Sequence, residues 1–328
     1  MQSINQRGLL PPKTRRMPRL VRAGHRASYH VTSRICGQAF LLDDVQKEHF
    51  RSLLRRVAGF CGVEVLTYAI LENHFHLLIE VPGTPGELSD EELLARARLL
   101  YGDERKGQPL SILKIELALR ADAETRLAMR GILLRRMASL PMFVKMLKQR
   151  FSLLYNRQHG RVGTLWEDRF HSVLVENTPA ALRAVAAYID LNPVRAGLVR
   201  DPKDYRFSGY GEAAGNGRGW ANYPLFRHLA KGHVESIQTI AALYRRYLYL
   251  SAADPRKGAF LSAEAIAAVL AKGGEVPPSQ LLRCRLRYMA TGAAIGTRAF
   301  LEKHLAQHPR LLRRLSAPSV ALLMEEAP

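Results

Sequence analysis

Residues 72–80 read ENHFHLLIE, and this short run sets the reading of the whole chain. His74 and His76 flank one phenylalanine inside an otherwise apolar segment. On a strand, residues two apart face the same side. His74, His76, Leu78 and Glu80 therefore share one face, and Phe75, Leu77, Ile79 and Val81 share the other. The second face is apolar throughout and suits burial against a helix. The first face begins with two imidazoles held in parallel, which supply two ligands of a divalent-metal site and need a third from elsewhere. Two hydrogen-bonded surface histidines would give the same spacing.

Working outward, "VEVLTYAIL" (63–71) is a strand only a few residues earlier, so the two form a hairpin. "SYHVTSRIC" (28–36) alternates and is rich in β-branched and aromatic residues, which predicts a strand. Between them, Phe50, Leu53, Leu54, Val57 and Cys61 recur at helical spacing, with Asp43 or Asp44 to cap the helix and Gly62 to stop it. Residues 82–140 form an excursion that includes a capping box from Ser89 to Glu92. A helix follows near Pro141, then a fourth strand, "HSVLVE" (171–176), then a helix with Thr178 as N-cap, Pro179 behind it and Pro193 at its end. The order is strand, helix, strand, strand, insertion, helix, strand, helix. It predicts an α+β, ferredoxin-like split βαβ fold: an antiparallel sheet with packed helices. After residue 225 only helical patterns are read, so residues 226–328 are expected to be an all-helical extension. One of its stretches pairs a Gly-Gly turn with a basic helix carrying Arg283, Arg285 and Arg287, which reads equally as a DNA contact or a packing module.

Charge narrows the function. Lys+Arg number 49 against 29 Asp+Glu, a net +20 over 328 residues, and such an excess most often meets a polyanion. Residues 1–34 hold eight basic residues and no acid, so residues 1–26 read as a basic arm, and Arg15, Arg16, Arg19, Arg22, Arg26 and Arg34 are candidate phosphate contacts. No run of about 18 apolar residues appears, and no secretory signal is read, so no membrane partner is expected. Three scattered cysteines make neither a disulfide framework nor a zinc motif, and a reducing cytoplasm fits them. P-loop, Gly-x-Ser-x-Gly and zinc-deaminase patterns are absent. Metal ligands on a basic protein point to phosphate chemistry, which then needs a nucleophile. Two helical tyrosines have a polar partner four residues on: Tyr155 with His159, and Tyr188 with Asn192. Both spacings put the pair on one helix face, so periodicity does not choose between them.

Four blocks in order, "YHVTSR", "LENHFHLLIEVP", "YNRQHGRVGTLWEDRFHSVLVE" and "YIDLNPVRAGLV", together with "DYRFSGY", resemble the HUH single-tyrosine transposases. The likeness is to the REP-associated tyrosine transposases of the IS200-like superfamily, over roughly residues 18–215. The resemblance implies an HUH endonuclease domain across residues 27–225, with a helical insertion at about 84–138. It implies Tyr188 as the nucleophile, and His74, His76 and Asn192 as ligands of Mg²⁺ or Mn²⁺. The implied reaction is transesterification of single-stranded DNA beside a hairpin: a 5′-phosphotyrosine link forms and a 3′-hydroxyl leaves. Arg157, Arg161 and Arg169 offer phosphate contacts, and Trp166 reads as a base-stacking platform or as core. The expected partner is hairpin-bearing single-stranded DNA, with no small-molecule substrate, and the expected state is a cytoplasmic monomer or homodimer. The rival reading is a catalytically quiet hairpin binder on the same fold. A relaxase or replication initiator is a further rival, which a third histidine in the metal motif would favour.

Overall fold

A computed structural model of the chain describes residues 19–102, 110–215, 223–230, 236–252, 293–306 and 321–322. Strand β1 (Ala27–Arg34) leads through a 3₁₀ turn into helix α1 (Asp44–Cys61). The Asp43 carboxylate accepts from Gln46 N at 2.8 Å to start α1, and Gly62 ends it in the left-handed region at φ 68°. Strands β2 (Glu64–Ile70) and β3 (His74–Val81) form the expected hairpin. Helices α2 (Asp90–Tyr101), α3 (Ile112–Leu119) and α4 (Ala123–Leu134) make up the excursion. The Ser89–Glu92 capping box is present, and Leu93, Ala97, Leu100 and Tyr101 of α2 are buried in the main core. The insertion therefore shares the domain's core. Then come α5 (Leu140–Gln158), β4 (His171–Val175), α6 (Pro179–Asp190) and the one-turn α7 (Asn192–Arg195). Helices α8 (Gly209–Gly215), α9 (Pro224–Leu229) and α10 (Ile237–Ala252) follow, and then β5 (Ala294–Gly296), α11 (Arg298–Leu305) and β6 (Ala321–Leu322).

The sheet order is β2-β3-β1-β4-β5-β6. Its first four strands pair antiparallel, in the order of a split βαβ unit. Two expectations are corrected here. The sheet is not wholly antiparallel, because β5 joins β4 in parallel and β6 joins β5 in parallel. The C-terminal region is not all helical, because those two strands come from it. They are only three and two residues long, too short for a periodic signal; the free edge of β4 gives β5 a partner, and β5 gives β6 one. The basic helix with Arg283, Arg285 and Arg287 lies outside the described residues.

Helices cover both sheet faces, which is why β1 is buried at seven consecutive positions. One core layer joins Tyr29, Val31, Phe75, Leu77, Ile79 and Val81 to α1, α2 and α5. Leu54, Val57 and Phe143 are among its fully enclosed side chains, each contributing about 1.5–3 kcal/mol by burial. The opposite layer joins Leu66, Leu78, Val173 and Val175 to α6, α9 and α10. Alanines 184, 186 and 187 keep α6 slim enough to lie close on the strands. That second layer also carries the polar residues of β3.

Candidate active site

Ser28, His30, Thr32 and Arg34 of β1 alternate onto the α6 side of the sheet, as do His74, His76, Leu78 and Glu80 of β3. Thr32 lies opposite His76, Arg34 opposite His74, and His30 opposite Leu78. His30 and His76 are thus diagonal neighbours, with His30 Nε2 2.9 Å from His76 Nδ1 and ring centres 5.2 Å apart. The His74 ring lies 5.0 Å from that of His76. From above, the Tyr188 ring meets His30 edge-on at 5.6 Å and His76 at 5.7 Å. Three imidazoles and one phenol share one spot.

Tyr188 reaches that spot because of how α6 begins and ends. The Thr178 hydroxyl accepts from Ala181 N, and Pro179 fills the first turn. Pro193 cannot donate to a carbonyl one turn back, so the helix breaks after Asp190 and restarts as α7. Asn192 Nδ2 and Arg195 Nη1 then both donate to the Tyr188 carbonyl, at 2.8 and 2.9 Å. Asp190, fully buried, pins the end of α6 by accepting from Thr67 at 2.6 Å, Tyr223 at 2.8 Å and Tyr244 at 2.5 Å. A bulge between Val65 and Thr67 helps Thr67 reach it from β2.

Burial and nearby cations set the protonation states. Burial, helped by Arg34, pushes His74 down to about 4. Burial holds His76 well below the usual histidine range, with His30, His74, Arg34 and Arg195 acting in the same direction. Both imidazoles are therefore neutral near pH 7. Burial raises the Tyr188 phenol, against Arg195, Arg34 and the Asn192 amide, which favour its ionised form. The side-chain charges named here are all cationic. Such a pocket favours an anion, and Tyr188 within it is only 8% exposed.

The donor chemistry of His74 and His76 suits a divalent ion. His74 Nδ1 lies 2.6 Å from Asn73 Oδ1, and His76 Nδ1 is taken by His30. With Nδ1–H donated in each case, both Nε2 lone pairs are left for a metal. Asn192 donates one amide N–H to the Tyr188 carbonyl and also hydrogen-bonds the Tyr188 phenol, which leaves its oxygen as the group to offer a metal. Neutral imidazoles suit Mn²⁺ better than Mg²⁺, which prefers oxygen. Glu64, Glu80 and His228 form a second possible metal-binding group, their ligand atoms within 4.8 Å of one another. It lies on the same sheet face, about 13 Å farther along β3 at ~3.3 Å per residue. Its carboxylates already have partners: Arg26 at 2.9 Å and Asn177 at 2.6 Å on Glu80, and Arg227 and His228 on Glu64.

The other expected site residues are dispersed. Tyr155 is buried in the opposite core layer, stacked on His159 at 4.2 Å, so the sheet separates it from His74 and His76. Of the two readings of Trp166 the structure selects core, against the base-stacking platform: it is 6% exposed, packs against Phe50, Phe75 and Phe151, and donates Nε1–H to Lys148 O at 3.1 Å. Its indole fills core and offers no free face to a base. Arg157, Arg161 and Arg169 are exposed. The loop bearing Arg161 and Arg169 runs beside the end of β1, where Glu167 N donates to Arg34 O at 3.0 Å. Arg34 is exposed at the mouth of the site. Arg19 lies over the Phe170 ring at 4.2 Å, Arg22 donates its backbone N–H to Tyr29 Oη at 2.9 Å, and Arg26 is tied to buried Glu80. With Leu20 also buried, residues 19–26 are fastened to the domain. Arg15 and Arg16 lie outside the described residues.

His30, Asp190 and Arg195 were missed as site residues. His30 stands in "YHVTSR" between two apolar residues, a hint that it shares a face with Thr32 and Arg34. It is a third histidine, but its Nε2 is engaged by His76. Asp190 and Arg195 carry no spacing signal, because their partners come from β2, α9, α10 and the helix break.

Among the described residues no helix is long and apolar enough to cross a membrane. No protein-family model matches the chain, and no curated protein matches it. Among solved structures, the chain is similar to a REP-associated tyrosine transposase bound to a REP hairpin, at 16% identity and a TM-score of 0.36, over 62% of this chain and 87% of that one.

Proposed function

We propose that this protein is a single-stranded DNA endonuclease and strand transferase that acts beside a hairpin, with Tyr188 as its nucleophile. The observation that carries the reading is the Tyr188 ring set against His76 and His30 under two arginines. Tyr188 Oη attacks phosphorus, a phosphotyrosine bond forms, and the 3′-oxygen leaves with a proton. Attack by a 3′-hydroxyl on that bond reverses the step, so no external energy source is needed. His74 and His76, with Asn192, would hold a divalent ion, which when bound polarises the phosphorus and neutralises charge in the transition state. Arg34 and Arg195 favour the phenolate and draw in the strand.

One observation favours the quiet hairpin binder. Tyr188 is almost covered, and the Asn192 amide is turned to a backbone carbonyl. A catalytic Tyr188 must expose its hydroxyl on meeting DNA.

Incubation with hairpin-bearing single-stranded DNA and Mn²⁺ or Mg²⁺ tests the reading. A denaturation-resistant protein–DNA adduct is expected, absent in EDTA and in Tyr188→Phe and retained in Tyr155→Phe. Tight hairpin binding without any adduct would select the quiet binder. An adduct mapped to a peptide with Tyr155 would refute the nucleophile.

A further inference from the structure

Arg195 is partly buried, and its guanidinium sits over the Tyr188 ring at 5.2 Å. One N–H goes to the Tyr188 carbonyl, of five that an arginine offers. Arg26, Arg51 and Arg130 each have a carboxylate partner within the fold. Arg195 pairs with no carboxylate among the described residues. Burial draws its guanidinium down to about 10, and Tyr188 is the group that opposes this. Taking a cation from water without a counter-ion costs free energy. That cost is recovered when an anion enters.

The carbonyl bond fixes what the anion would meet. It holds the guanidinium on the ring face of the tyrosine, so the remaining donors travel with the nucleophile. A planar fork of N–H groups matches two oxygens of a phosphate. Arg34 is exposed, which suits steering more than seating. Resting on the reading of Tyr188 as the nucleophile, we propose that Arg195 is a phosphate-binding residue, whose free N–H donors seat a non-bridging oxygen of the DNA phosphate that Tyr188 attacks.

A thermodynamic cycle tests this without metal or cleavage. Tyr188→Phe keeps the ring and carbonyl that anchor Arg195, and EDTA removes divalent ions. Hairpin DNAs are compared, each with one neutral methylphosphonate at a successive position of the single-stranded flank. With Arg195 present, one position loses affinity by about tenfold, the scale of one charge-assisted hydrogen bond. Adding Arg195→Gln weakens unmodified DNA by a similar factor and removes the penalty at that position. Arg195→Lys restores part of the affinity, since it keeps the charge and loses the fork. It also carries the cycle if the glutamine variant does not fold. Equal loss on every modified strand, or no loss at all, overturns the proposal and leaves Arg195 a clamp on the Tyr188 carbonyl. Failure of the underlying reading is separate: the unsubstituted protein then makes no adduct with Mn²⁺, whatever the cycle gives.

Discussion

His30 governs the site through one ring nitrogen. It is fully buried on β1, and its Nε2 faces His76 Nδ1 at 2.9 Å. For His76 to offer a lone pair on Nε2, its Nδ1–H must donate and His30 must accept. An acceptor held there fixes both the tautomer and the ring angle of His76. His30→Gln keeps an oxygen acceptor, and His30→Leu leaves a buried donor unpaired. The leucine variant is therefore expected to bind Mn²⁺ roughly 10- to 100-fold more weakly and to lose about 1–3 kcal/mol of stability. The glutamine variant keeps most of both. Mn²⁺ titration followed by the paramagnetic signal of the free ion, with urea unfolding alongside, checks this. Equal metal affinity in both variants would reduce His30 to packing.

At the scale of elements, the α6 layer is held to the sheet at two polar joints. Asp190 ties α6 to Thr67 on β2, to Tyr223 and to Tyr244 on α10. Glu64 on β2 ties the hairpin to α9 through His228 and Arg227. The hydrogen bond from His228 comes first, then that from Arg227, and together they hold the Glu64 carboxyl down at about 2 against burial. A carboxyl depressed in the folded state adds stability above its unfolded pKa, and that stability is lost as pH falls through the folded value. Glu64→Gln should therefore cost roughly 1.5–3 kcal/mol at pH 7, the range for hydrogen bonds to a charged group. The cost should shrink below about pH 4.5 and vanish near pH 2. Urea unfolding of both proteins across pH 2–7 gives the difference directly. A pH-independent difference would mean that the carboxylate is not the joint.

The whole molecule is a polycation. A net charge of +20 predicts hairpin binding that weakens steeply with salt. Each neutralised phosphate adds roughly −0.7 to −0.9 to the log–log slope, so five or more contacts give about −4 or steeper. Residues 1–18 carry Arg7, Lys13, Arg15 and Arg16, whereas residues 19–26 are fastened to the domain. Deleting residues 1–18 removes four basic residues, keeps the fastened segment 19–26 and should flatten the slope by about one to three contacts. Fluorescence anisotropy between 50 and 300 mM salt measures it. An unchanged slope would make the arm a bystander, and equal affinity for duplex, plain single strand and hairpin would remove the proposed recognition.

Local chemistry determined much of this protein from the chain alone. The caps at Asp43, Ser89 and Thr178, the stop at Gly62 and the two-residue alternation of β3 depend on neighbours in sequence, and each stands where its pattern predicts. The two faces of β3 follow from that alternation, so His74 and His76 were legible as a pair. What alternation could not tell is what covers the imidazole face, because that depends on which helix crosses the sheet. Tyr155 and Tyr188 have equivalent local spacing, yet α5 packs on one side of the sheet and α6 on the other. Trp166 reads equally as a base platform or as core from sequence, and only packing against Phe50 and Phe151 decides for core. Strands β5 and β6 are too short to carry a period and exist because β5 pairs with the β4 edge and β6 with β5. His30, Asp190 and Arg195 entered the site the same way. Each is defined by a partner distant in sequence or by a helix break, and such partners meet only when the chain closes on itself.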